Sequence, residues 1–372
     1  MNKSKIGSYG KILTFTVVAT ALICIFGFSA DGWQSINNKE PDSGNTEDEI
    51  GKADENTDGD NEEGEAPSEP EVYIPEYVNA LTGLETSGEL ARMRPTAFVM
   101  SSTSPTYGIH GADIIAEFPT ESGETRFLVF QSEVYSLGKI GSITPTRRYI
   151  SNIAKYFGAI LVSSGSDDEI EYSGCDMTSS SFDLSLHSGY HYTEFTHFNY
   201  SNGALITAGV ANANIGTAIN SRLPLPYSFT EFGAEPLIGT ESAKSVSIPY
   251  SQASETEMYY SEKDGKYTFS KGGVTKNDML NDKPVQFTNV FILFADTVTY
   301  ESAEATELVM NTDGKGVGYY LTQGTVINIR WEATEDGTLN FYTDSGERLT
   351  VNRGSSYIGF AKSSLHESVK FN

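Results

Sequence analysis

The chain has 372 residues, a formal net charge of −25, two Cys and five His, with 38% hydrophobic and 12% aromatic residues. Its length points to about two domains, on a rough scale of ~150 residues each. The charge excludes a nucleic-acid binder that works by neutralising phosphates, and two Cys exclude a disulfide scaffold or a four-thiolate zinc site.

The charge is unevenly spread. Lys3, Lys5 and Lys11 precede the apolar stretch Ile12 to Phe28, the order found in an export signal. Residues 1–30 therefore read as a signal peptide or an N-terminal membrane anchor, with everything beyond them outside the cytoplasm. Gly27 and Ser29 suit cleavage after Ser29, whereas Ile23 stands where lipidation of Cys24 calls for a small residue. Residues 31–75 hold 15 Asp or Glu against Lys39 and Lys52. With few large apolar side chains this segment reads as a disordered acidic tether, stretched by its own repulsion. Within it, Asp54, Asn56, Asp58, Gly59, Asp60, Glu62 and Glu65 fit the ligand positions of an EF-hand loop. The flanks argue against a folded calcium site: Asn61 stands where an apolar residue pins such a loop, no amphipathic helix precedes it, and Pro67 and Pro70 follow.

The folded part reads as α+β: a mixed α/β domain over residues 76–241, then a mostly antiparallel, all-β domain over residues 242–372. Thr96 to Ser101 is an apolar strand. Ala112 to Phe118 and Thr125 to Ser132 are strands joined by the polar turn PTESGE, which predicts a hairpin. Tyr149, Ile150, Ile153, Ala154 and Phe157 fall at helical spacing after Pro145, so a helix is expected over Arg147 to Tyr156. Ala159 to Val162 is a short buried strand, and a second helix is expected across Gly203 to Ile215. Beyond Ser242, short alternating strands follow one another, including Ser245 to Pro249, Lys266 to Ser270, Asn289 to Ala295, Val326 to Trp331 and Tyr357 to Ala361. Turn pairs such as Asp264–Gly265 and Ser345–Gly346 separate them, a hairpin texture that suggests a barrel or a curled sheet.

Chemistry-bearing groups are few. His187, His191 and His197 cluster in sequence around Glu194, but an extended HYTEFTHFNY holds His191 and His197 about 20 Å apart, too far to share a metal ion. Gly314, Gly316 and Gly318 around Lys315 lack the GK[ST] of a phosphate loop and read as a glycine-rich hairpin. No pattern asks for a metal or a cofactor, and no G-x-S-x-G nucleophile elbow occurs. What remains is a charged set: Glu117 inside an apolar strand, Glu121 in the turn, Arg126 opening the next strand, and Arg147 and Arg148 opening the helix. A charge in an apolar strand is costly unless paired or at a cleft. Either Glu117 or Glu121 pairs with Arg126 across the hairpin, or the set converges on a pocket for a polar or anionic ligand.

Several runs in order carry a family resemblance: NALTGL at 79–84, Arg94–Pro95, GADI at 111–114, ESGETRF at 121–127 and KIG at 139–141, then FTNV at 287–290, GKGVGYY at 314–320 and NRGSSY at 352–357. The chain resembles the YerB-like family of bacterial lipoproteins, whose function is not established, over about residues 78–361. The resemblance implies an α/β domain and a β domain held at the cell envelope. It departs from the family at three places. GSITPTR at 141–147 stands for GPVRSAR, so that Thr144 replaces an Arg; SSGS at 163–166 stands for His-Ala-Gly-Gly; and THFNY at 196–200 only loosely follows Pro-His-Asn-Leu-Tyr. The site residues it leaves are Glu117, Glu121, Arg126 and Arg147, with His197 and Asn199 as weak matches.

Together these features lead to an envelope-associated, extracytoplasmic protein that binds a polar small molecule or cell-wall component without catalysis. It meets the membrane through its N-terminal segment and binds no nucleic acid. The alternative is an envelope hydrolase or transferase using Glu117 or Glu121 as general acid or base.

Overall fold

Strand β16 (Ser356–Lys362) ties the architecture together, and the elements before it can be followed in chain order. The computed structural model describes residues 72–165, 180–194, 198–219, 225–301, 306–334 and 337–372. The export segment, residues 31–71 of the acidic tether with its EF-hand-like ligands, Cys24, Cys175 and His197 lie outside the described residues.

The described chain is mostly β-strand, in several sheets. Strands β1 (Thr96–Ser101), β2 (Ile114–Pro119) and β3 (Thr125–Gln131) form an antiparallel unit with β3 in the middle. The β2–β3 hairpin expected from the polar turn is present, with Glu117 opposite Phe127 and Phe118 opposite Arg126. Strand β4 (Ile140–Ile143) touches β1, and β5 (Ile160–Ser163) runs parallel to β1 and to β6 (Ser181–Asp183). Strands β7 (Tyr192–Glu194) and β8 (Phe198–Ser201) pair antiparallel, with Tyr192 opposite Tyr200. The sequence alone leaves this segment as a loop or a strand. Cross-strand pairing satisfies backbone groups that a single extended strand leaves open.

Helix α1 (Arg148–Tyr156) buries the stripe read from sequence, Tyr149, Ile150, Ile153 and Ala154. It stops because Gly158, at φ 62°, takes a left-handed turn. Ala159 N–H then bonds back to Ala154 and Gly158 N–H to Lys155, closing the helix carbonyls. Helix α2 (Gly203–Asn212) starts where the Asn202 side chain accepts from Leu205 N–H at 2.9 Å. It ends three residues short of the expected Ile215. Asn214 adopts φ 56°, and Ile215 and Asn214 N–H return to Val210 and Ala211, the same closing pattern with Asn in place of Gly.

The later strands split between two sheets. Strands β9 (Ser245–Pro249), β10 (Glu255–Ser261) and β11 (Lys266–Lys271) pair antiparallel in a smaller sheet. Strands β12 (Asn289–Ala295), β13 (Lys315–Thr322), β14 (Thr325–Ala333) and β15 (Leu339–Thr343) follow one another antiparallel in the main sheet. Strand β16 then runs parallel to β12 on one side and to β2 on the other. That double pairing fuses the strands of both halves of the chain into one 14-stranded sheet. The texture change at residue 242 is thus not a break in the sheet, and residues 69–372 make a single compact unit.

Each face of the main sheet carries its own core. On one, Ile114, Ala116, Phe118, Leu128 and Phe130 meet α1 and the Phe291, Phe360 and Trp331 rings. On the other, Ile115, Phe127 and Val129 meet Val246, Ile248, Met258 and Phe269 of the smaller sheet. The period of two along β2 and β3 assigns these sides. Residues 315–320 of the glycine-rich run are part of strand β13, where a side chain at Gly316 would collide with the Phe294 carbonyl and the Trp331 indole, which hydrogen-bond at 3.0 Å, and one at Gly318 with the Ile292 carbonyl. These glycines serve close backbone approach.

Phe360 stacks on Phe118 with centroids 4.8 Å apart, joining the two halves through β16 and β2. Phe360→Ala is expected to lower stability by about 3–5 kcal/mol. Chemical denaturation should show Trp331 fluorescence and far-UV signal falling together in one transition at a lower midpoint; separate transitions would show that β16 does not couple the halves.

Candidate functional site

The hairpin register decides which charged groups can meet. Glu117 and Phe127 lie on the face toward the smaller sheet, and Arg126 lies on the face toward α1. The four residues proposed as one cluster therefore divide into two.

Glu117 is completely buried. Its Oε1 accepts from Thr125 Oγ1 and from Lys271 Nζ, both at 2.5 Å; its Oε2 accepts from Thr256 Oγ1 at 2.8 Å and Tyr357 OH at 2.6 Å. Tyr250 OH lies 2.7 Å from Tyr357 OH. Burial first, then the Glu117 charge, push both phenols well above their usual range, so they stay protonated and can donate. Thr125, Thr256, Lys271, Tyr250 and Tyr357 come from both sheets, and both oxygens of the carboxylate are used within the protein. Glu117 thus clasps the smaller sheet to the main one. Its carboxylate is sealed from any substrate in this arrangement, so neither a ligand contact nor an acid–base role is open to it. Its partner is Lys271, 154 residues away in sequence, and not an arginine across the hairpin.

On the opposite face, at the start of α1, Arg147 is the residue before the helix and is 5% exposed. Its Nη2 donates to Glu121 Oε1 at 2.5 Å. Arg126 Nη1 donates to the Pro145 carbonyl at 2.7 Å, so Arg126 engages the 141–147 loop while Arg147, at the loop's end, reaches back to the β2–β3 turn. The loop is stitched to the end of β5: Ser164 N–H bonds to Thr144 O, and Thr146 N–H to Gly165 O. Asn199, on β8 beside β4, donates to Ser164 Oγ at 2.7 Å and accepts from Thr193 Oγ1. The hydroxyls of Ser142, Thr144 and Ser163 are buried here and find no hydrogen-bond partner among the described residues, nor does Glu121 Oε2.

Glu121, Arg126, Arg147 and Asn199 thus surround one polar corner, and Glu117 does not join them. Sequence reasoning missed Lys271 and the orphan hydroxyls: nothing local marks a lysine ending a surface strand as the mate of a distant buried glutamate. Of the histidines, His187 stacks on Phe182 with centroids 4.7 Å apart, a packing role. Among the described residues no three His, Cys, Asp or Glu side chains stand close enough to share a metal ion.

Comparison with known proteins bears on the whole folded part. Residues 81–212 match a family model described as "Protein of unknown function (DUF3048) N-terminal domain", and residues 246–358 match that of the C-terminal domain. The chain is 27% identical over 264 residues to "Putative lipoprotein YerB" of Bacillus subtilis (strain 168), covering 68% of this chain and 77% of that protein. The crystal structure of YerB protein from Bacillus subtilis superposes with a TM-score of 0.67 at 22% identity, over 79% of this chain and 99% of that one. At that identity the structure speaks for the fold.

The Glu117–Lys271 pair makes a specific claim about stability. Lys271→Met leaves a buried carboxylate without its countercharge and should cost about 3–5 kcal/mol, whereas Glu117→Gln together with Lys271→Met should recover much of that loss. Urea denaturation of the three proteins checks this; equal losses in the single and double variants would show that the ion pair is not the source.

Proposed function

This chain belongs to the YerB-like family, and from that premise we propose that it is an envelope-displayed protein that binds a polar ligand or cell-wall component, without catalysis, at the corner formed by Glu121, Arg126, Arg147 and Asn199. In this reading residues 76–241 are a mixed α/β domain that carries the corner, and residues 242–372 are a β-rich domain. The relative described as a lipoprotein, with the lysine-led apolar N-terminus of this chain, supports attachment on the outer face of the cytoplasmic membrane. Among the described residues no helix is long and apolar enough to cross a membrane.

The observation that carries the reading is spatial. The three stretches that depart from the family's pattern, 141–147, 163–166 and 196–200, are far apart in sequence. Their described parts meet at this corner through the Ser164–Thr144, Thr146–Gly165 and Asn199–Ser164 hydrogen bonds. Two arginines and several unsatisfied hydroxyls gathered in one corner offer charge and hydrogen bonds to the oxygens of a polar ligand. Arginine suits the carboxylates or phosphates of envelope polymers because its fork of donors matches their oxygens.

Disaccharide–peptide fragments of peptidoglycan, titrated into the isotope-labelled full chain, test the proposal. Saturable amide shifts are expected at 141–147 and 163–165, and Arg126→Ala should weaken binding by at least about tenfold, the loss of one charge-assisted contact. Absence of shifts there, or equal binding by Arg126→Ala, would falsify it. Arg147→Ala is the poorer probe, since it also strands Glu121.

A further inference from the structure

Away from that corner, beside the Glu117 clasp, a groove of about 400 Å³ opens between the two sheets. That volume lies within the range of small-molecule sites, about 300–1,000 Å³. Ser102, Ser254, Lys271 and Lys276 line it, with Glu124 and Glu255 exposed at its rim. Lys271 is committed to Glu117. Lys276 is not committed in the same way. Its Nζ donates to the Ser102 carbonyl at 3.0 Å and stands 6.0 Å from the Phe127 ring centroid, and it forms no ion pair among the described residues. An ammonium has three donors, and here one is used by a strong acceptor. Across the same groove the Ser254 hydroxyl is buried and has no hydrogen-bond partner among the described residues. A half-satisfied cation and an unsatisfied hydroxyl on residues that line one cavity are costly while unmet and favourable once an acceptor arrives.

We propose that this groove is a second binding site, for a ligand bearing a single carboxylate, with the Lys276 ammonium as its anchor and the Ser254 hydroxyl as a further contact. The rim carboxylates of Glu124 and Glu255 select against ligands of higher negative charge. The site is independent of the arginine corner, which lies on the other face of the main sheet. Burial, reinforced by the Lys271 charge and opposed by Glu117, pushes the Lys276 amine down to about 8. The carboxylate needs the protonated amine, so binding is present below that pH and fades as the pH rises through it, well before an ordinary lysine titrates.

N-acetylglycine is a suitable probe, with its uncharged methyl ester as control, titrated into the isotope-labelled full chain. Saturable amide shifts are expected around 253–255 and 271–276 with the acid and not with the ester. Affinity should fall by up to about tenfold per pH unit above the amine's titration point. Lys276→Met should abolish the shifts, and Ser254→Ala should weaken them severalfold. Lys276→Arg should keep binding while losing the fall-off with pH, because a guanidinium stays charged. Arg126→Ala should bind the probe as the parent does, which separates failure here from failure at the corner. No saturable shift, shifts that survive in Lys276→Met, or an affinity constant across that pH range would each overturn the proposal.

Discussion

Everything in this structure hangs on a strand near the end of the chain finding its place between two strands made long before it. Strand β16 pairs in parallel with β12 and with β2, so both of its edges are satisfied and all but its last residue is buried. Parallel partners cannot be reached by a tight turn, so each pairing encloses a long excursion of chain. Until β16 docks, β2 and β12 each expose an unpaired edge and an apolar face to water. The docking therefore makes a single sheet from two families of strands, and the cores on both of its faces depend on it.

The alternation of side chains along β2 then sends its residues to two different cores. Even-numbered residues of that strand, Ile114, Ala116 and Phe118, support α1 and, through it, the arginine corner. The odd-numbered Glu117 faces the smaller sheet, where a carboxylate needs a full set of donors to be tolerated. It obtains them from Thr125, Thr256, Lys271 and Tyr357. A buried ion pair of this kind is weak evidence of net stability, but breaking it is expensive. Its more useful consequence is positional: it fixes the smaller sheet over the main one and leaves a groove at their junction, where Lys276 forms no ion pair among the described residues.

Much of the local structure was legible because it follows from short-range physics. Strand β1, the β2–β3 hairpin and α1 follow from alternation, turn chemistry and helical spacing. So do β9 and β12, which lie where the apolar runs place them. The end of α2 was misplaced because apolar periodicity continues past Asn212, while the chain itself turns at Asn214, a residue able to adopt a left-handed conformation. The candidate site was half legible. Glu121, Arg126 and Arg147 were marked by charge beside apolar runs, and they do come together. Glu117 carried the same mark and went elsewhere, because its direction depends on which face of the sheet receives which partner.

Composition alone marks a lysine-led apolar segment followed by an acidic stretch, and local pattern marks many of the folded elements and the family resemblance, because turns, periodicities and motif runs are local and survive without knowledge of contacts. Tertiary structure alone decided that Lys271 answers Glu117, that 141–147, 163–165 and 198–200 meet at one corner, and that Lys276 and Ser254 line one groove. Each of these joins residues separated by tens to hundreds of positions, and a side chain's partner across such a distance is set by sheet order and register, which no local spacing encodes.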